Sequence, residues 1–155
     1  MRNKNLLKVT AFNVEGLERE LENPIFIDKL YEQDICVLYE TWRSTDSKLA
    51  LPGLWDFSLV RQKTKKVGRN SGGVTVFCKE NIREGIKIMK SSEGFVWLKL
   101  DSTFFSFEEN VFLCGAYIPP ENSKNVVSQN TEYFEILGDA VSRYSELWDL
   151  MLELG

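Results

Sequence analysis

Positions 6–12 alternate loosely between apolar and polar side chains and are rich in strand formers, predicting a first strand from Leu6 to Phe12 that ends at Asn13. Asn23-Pro24 marks a helix start, with Asn23 as cap and Pro24 at the first helical position, where its missing N–H is harmless. Ile27, Leu30 and Tyr31 supply the expected apolar face. Asp34 to Glu40 is a nearly continuous apolar run bounded by charges, the pattern of a strand covered on both faces. Trp55 to Val60 and Val74 to Lys79 predict two strands joined as a hairpin across the basic stretch Arg61 to Asn70, with Ser71-Gly72-Gly73 leading into the second. Three more strands follow at Ile86 to Met89, Phe95 to Leu100 and Val111 to Tyr117, the last stopped by Pro119-Pro120. From about Ser123 the period changes. Phe134, Leu137, Val141, Tyr144 and Trp148 recur at helical spacing and predict one amphipathic helix, after which Leu150 to Leu154 begins another strand.

Three of these apolar stretches end in a polar group: Asn13 after Val9 to Phe12, Glu40 after Asp34 to Tyr39, and Tyr117 after Leu113 to Ala116. Each reads as a buried strand delivering a functional side chain at its C-terminal end. The three together predict a rim where a hard metal ion and a phosphate sit. Strands joined by hairpins with only occasional helices predict an α/β sandwich of mixed sheets with helices packed outside.

Composition narrows the chemistry. A chain of 155 residues, 43% hydrophobic, is expected to form a single domain over residues 1–155. No apolar run approaches the roughly 18 residues that span a bilayer, and Met1-Arg2-Asn3-Lys4-Asn5 does not lead into a signal-peptide core, so a soluble intracellular protein is expected. Cys36, Cys78 and Cys114 lie in separate apolar runs without metal-site or redox spacing, and are read as buried free thiols. The absence of histidine removes the commonest general base and the Ser-His and Cys-His systems. Residues 1–100 hold 17 Lys/Arg against 13 Asp/Glu (+4), whereas residues 101–155 hold 2 against 10 (−8). A nucleic-acid contact therefore belongs to the first part, around Arg61, Lys63, Lys65, Lys66 and Arg69.

Taken in order, five stretches resemble the endonuclease/exonuclease/phosphatase superfamily: Phe12-Asn13-Val14-Glu15-Gly16-Leu17, Asp34 to Trp42 with Tyr39-Glu40-Thr41, Ser71-Gly72-Gly73-Val74, Phe95 to Leu100, and Tyr117-Ile118-Pro119-Pro120. The last three look most like the endonuclease domains of non-LTR (LINE-type) retrotransposons. The resemblance implies a four-layered α/β/β/α sandwich and Mg²⁺- or Mn²⁺-dependent hydrolysis of DNA phosphodiesters, in the nucleus if the protein acts on DNA. Glu40 matches the carboxylate that binds the metal, Asn13 the residue that organises the site, and Tyr117 a tyrosine on the scissile phosphate. Lys65, Lys66 and Arg69 become candidate DNA contacts, and Glu15 an outer ligand through water.

The family also has a Gly-Asp-x-Asn motif and a late Asp-His pair, and neither occurs here; Gly138-Asp139 continues as Ala140-Val141. The chain is therefore expected to be the C-terminally truncated first part of such a domain, inactive or weak alone. Two other readings stand beside it. One is a non-catalytic binding or assembly module in which a second copy or another chain covers the exposed half. The other is a different phosphoesterase of the superfamily, acting on inositol or lipid phosphates. The bland alternatives are an ordinary turn residue at Asn13, a solvated strand end at Glu40, packing roles for Tyr117 and Trp42, and a solvated hairpin tip at Arg61 to Arg69.

Overall fold

The structure, a computed structural model, describes residues 6–61, 71–92 and 95–117. The chain divides into two compact units, Met1–Ala116 and Tyr117–Gly155. The expected helix around Phe134 to Trp148 and the strand at Leu150 to Leu154 lie outside the described residues.

The first unit contains two sheets. Strands β1 (Val9–Asn13), β2 (Ile35–Tyr39), β3 (Leu54–Leu59) and β4 (Val74–Lys79) form one in the order β1-β2-β4-β3. Strands β5 (Ile86–Ser92), β6 (Phe95–Leu100) and β7 (Val111–Ala116) form the other, which is antiparallel. β1 and β2 run parallel, Asn13 opposite Tyr39. Parallel neighbours need a crossover, and α1 (Leu17–Glu20) and α2 (Pro24–Tyr31) supply it. Asn23 caps α2 as expected, its side-chain oxygen accepting the Ile25 N–H at 3.1 Å. The apolar face is the expected one only in part: Leu30 is buried as expected, but its buried partner is Phe26, four residues away on one helical stripe, while Ile27 is half-buried. Tyr31 turns outward, its hydroxyl donating to the Pro52 carbonyl at 2.8 Å.

Strand parity divides the β2 side chains. Cys36 and Leu38 join Phe77, Leu54, Val14 and Leu17 under Phe26 and Leu30, forming the core between helices and sheet. Val37 and Tyr39 face the second sheet at Gly115, where a Cβ would stand 2.3 Å from the Tyr39 hydroxyl oxygen and 3.0 Å from Val37 Cγ1. All five β2 side chains are buried, as the continuous apolar run predicts. β1 is not the buried strand expected: Val9 and Phe12 are 44% and 41% exposed, and among the described residues the strand stands at the sheet edge with β2 on one side. Burial raises the thiols of Cys36 to about 12 and of Cys78 and Cys114 to about 11, leaving them protonated and unreactive at neutral pH. Cys114 is only half-buried. Among the described residues no helix is long and apolar enough to cross a membrane.

Asp34 ties the starts of β1 and β2 to the end of β4, accepting from the Lys8 N–H at 2.8 Å and from Lys79 Nζ at 2.9 Å. Partial burial pushes its carboxyl up, but these two donors and the lysine charges outweigh that and hold it below 3.8. A folded-state carboxyl with a lowered pKa stabilises the fold above its ordinary value and loses that contribution as pH falls through the lowered one. Asp34→Asn is therefore expected to unfold more readily than the parent at neutral pH and equally readily at about pH 2. Urea melts at the two pH values measure this.

Candidate active site

The C-terminal ends of β1 and β2 continue into loops laced together by backbone hydrogen bonds. Val14 N–H donates to the Tyr39 carbonyl and Gly16 N–H to that of Glu40, each at 2.9 Å, and Leu17 N–H to that of Thr41 at 3.0 Å. From the other side, Trp42 N–H donates to the Gly72 carbonyl at 3.0 Å and Thr41 N–H to that of Gly73 at 3.4 Å. Asn13 and Glu40 thus stand at adjacent strand ends, as expected. Tyr117 follows β7 directly, half-buried, as the first residue of the second unit. Lys65, Lys66 and Arg69 lie outside the described residues.

The rim is conformationally costly. Glu15, Gly16, Glu40, Trp42, Gly72 and Gly73 all have φ between 48° and 110°, in left-handed space. Each non-glycine there costs on the order of 1–3 kcal/mol and persists only where surrounding contacts impose it. Two glycines are required by space as well: a Cβ on Gly16 would lie 2.9 Å from the Trp42 ring, and one on Gly73 2.7 Å from Thr41 Oγ1.

These contacts fix the Glu40 carboxylate. Its Oε2 accepts two hydrogen bonds, from the Trp42 indole N–H at 2.8 Å and from the Gly72 backbone N–H at 2.9 Å. Its Oε1 accepts none among the described residues, and the side chain is only half-buried. Asn13 is exposed, and its Oδ1 takes the Glu15 N–H at 3.1 Å, turning the amide back over its own loop. Glu15 is exposed too. Tyr39, the residue before Glu40, faces the second sheet, and its phenol is pushed well up by burial and then by Cys114.

No cluster of three or more carboxylate, thiol or imidazole side chains occurs among the described residues, so these residues by themselves do not form an all-protein metal cage. A carboxylate oxygen that accepts no hydrogen bond among the described residues does fit an ion of the Mg²⁺ type. Such ions bind through one or two carboxylates and keep water and substrate phosphate as their remaining ligands. The sequence pattern marks Asn13 and Glu40 as polar ends of strands, which is where they stand, but not the two donors that orient Glu40. The signal for one was Gly72-Gly73 ahead of an apolar strand; the Trp42 indole had none beyond proximity.

No family model matches the chain, and no curated protein matches it. Among solved structures it is similar to the 3′ phosphatase NExo from Neisseria bound to product DNA hairpin, with TM-score 0.57, 13% identity, and coverage of 91% of this chain and 53% of that one. The chain thus spans about half the length of the structure it matches. At that identity the likeness shows the fold, a mixed α/β arrangement of two sheets.

Proposed function

We propose that this chain carries the ion-binding half of a DNA-processing phosphoesterase site of the endonuclease/exonuclease/phosphatase superfamily, most like a retrotransposon endonuclease domain. In this reading residues 1–155 form a single partial domain of a four-layered sandwich. The carrying observation is Glu40, held at the end of β2 by two donors on Oε2 while Oε1 accepts none among the described residues, next to Asn13 at the end of β1. The likeness to a DNA-bound 3′ phosphatase supports DNA as substrate class over inositol or lipid phosphates.

Glu40 would hold a Mg²⁺ or Mn²⁺ ion, with Asn13 organising the loop beside it and Tyr117 contacting the phosphate. The ion supplies Lewis acidity at the phosphoryl oxygen and charge stabilisation at the leaving alkoxide. Lys65, Lys66 and Arg69 follow the DNA backbone, a contact that weakens with salt. Turnover by these 155 residues alone is weak or absent, because they include neither a Gly-Asp-x-Asn motif nor a histidine. A positioned acid or base contributes about 10²–10⁴-fold, and one preorganised charge-stabilising donor about 10²–10³-fold.

Anisotropy of a labelled DNA hairpin tests the proposal. Binding is expected to strengthen with Mg²⁺ in the parent and not in Glu40→Gln, with nicking at background. Binding that ignores both Mg²⁺ and Glu40 would overturn the ion site; rapid Mg²⁺-dependent nicking lost in Glu40→Ala would overturn the inactivity. A second reading, self-association, is favoured by the exposed apolar side chains of edge strand β1, Val9 and Phe12. Sedimentation equilibrium showing only monomer at working concentration contradicts it.

A further inference from the structure

Resting on the ion site just proposed, we infer that Trp42 is a positioning residue that selects which oxygen of Glu40 meets the ion. Two observations independent of the ion lead here. Trp42 Nε1–H donates to Glu40 Oε2 at 2.8 Å, joining residues two apart in a segment where both carry positive φ, 54° at Glu40 and 53° at Trp42. The ring is itself held from behind: Gly16 leaves room for it, since a Cβ there would stand 2.9 Å from Trp42 Cε3 and 3.2 Å from Cζ3.

A glutamate side chain has several rotatable bonds, and at a half-exposed strand end it would sample many rotamers. Here the indole and the Gly72 N–H reach one oxygen together, which fixes both the rotamer and the rotation of the carboxylate plane. Oε1 is then presented while Oε2 is occupied. A neutral indole donor suits this task, because it orients the carboxylate without the full positive charge by which lysine or arginine would compete with a cation. Donors that orient a ligating group in this way are worth about 10–100-fold in metal affinity. The hydrogen bond from the indole back to the carboxylate two residues before it is made with both residues in left-handed space, and it is one of the contacts that hold that strained backbone in place.

The test is Mn²⁺ titration of the full 155-residue chain, following free Mn²⁺ by electron paramagnetic resonance, with parent, Trp42→Phe and Glu40→Gln. Trp42→Phe retains an aromatic ring facing Gly16 and removes the donor. Its Mn²⁺ dissociation constant is expected to rise about 10–100-fold, while Glu40→Gln loses the site. A purely structural role for Trp42 would not move this constant at unchanged fold. In parallel, ¹⁵N-indole spectra of the parent should show the Trp42 cross-peak broadened first among the four tryptophans as Mn²⁺ is added. Equal affinity in Trp42→Phe and parent, with Glu40→Gln inert, overturns the inference and leaves the ion site standing. Absence of Mn²⁺ binding by the parent overturns both. If Trp42→Phe does not fold, the indole spectra decide: selective broadening supports the inference and uniform behaviour of the four overturns it.

Discussion

Gly115→Val is expected to destabilise the first unit by about 3 kcal/mol, the upper part of the range for overpacking a filled core. The reason is local. Gly115 lies on β7 where the two sheets meet, and even a bare Cβ would stand 2.3 Å from the Tyr39 hydroxyl oxygen, 3.0 Å from Val37 Cγ1 and 3.2 Å from Val96 Cγ1. Val37 and Tyr39 belong to the fully buried central strand β2, so neither has an outward rotamer to retreat to. The displacement would instead pass along β2 toward Glu40, which follows Tyr39 directly. Urea unfolding measures the cost. The cause is isolated by a cycle with Tyr39→Phe: Gly115→Ala should cost less once the hydroxyl is gone, with coupling within the 0.5–3 kcal/mol seen for touching residues. Full additivity would mean that the close approach does not govern packing there.

Arg43→Ala is expected to cost a similar amount, about 3 kcal/mol, from two lost charge-assisted hydrogen bonds and a vacated buried volume. Arg43 is 5% exposed yet has no carboxylate partner among the described residues. Its guanidinium donates to Ser58 Oγ and to the Ser47 carbonyl, both at 2.6 Å, and Ser58 exchanges a hydrogen bond with Thr75 Oγ1 at 2.8 Å. One side chain thus ties the loop leaving Glu40 to β3 and β4. Arg43→Met, which fills the space without a charge to bury, should cost much less. Equal thermal midpoints for Arg43→Ala and the parent would show that this network does not hold the loop.

Continuous apolar runs were the most legible part of the chain. β2, β4 and β6 stand where such runs predict them, because a strand covered on both faces admits few polar side chains. β1 shows the limit of that reasoning: its alternation announced a strand, but whether an edge is covered depends on neighbours that local pattern does not encode. The helix start at Asn23-Pro24 was legible from capping chemistry, and so was buried Leu30, whereas Phe26 took the place of Ile27 and Tyr31 once the sheet decided which stripe it met. The candidate site divides in the same way. Asn13 and Glu40 were visible as polar ends of apolar runs. The donors to Glu40 were not, since they depend on positive φ at Glu40, Trp42 and Gly72, and only the glycine hints at such a conformation. That Asn13 turns its amide to Glu15 is likewise a product of loop geometry.

The central claim is that Glu40 presents one carboxylate oxygen to a divalent ion at the joined ends of β1 and β2. Anomalous diffraction from Mn²⁺-soaked crystals tests it most directly. The account predicts a single strong peak about 2.1 Å from Glu40 Oε1, with Oε2 still bound to the Trp42 indole and the Gly72 N–H. A well-occupied Mn²⁺ ion elsewhere in the molecule, with Glu40 unliganded, would contradict it.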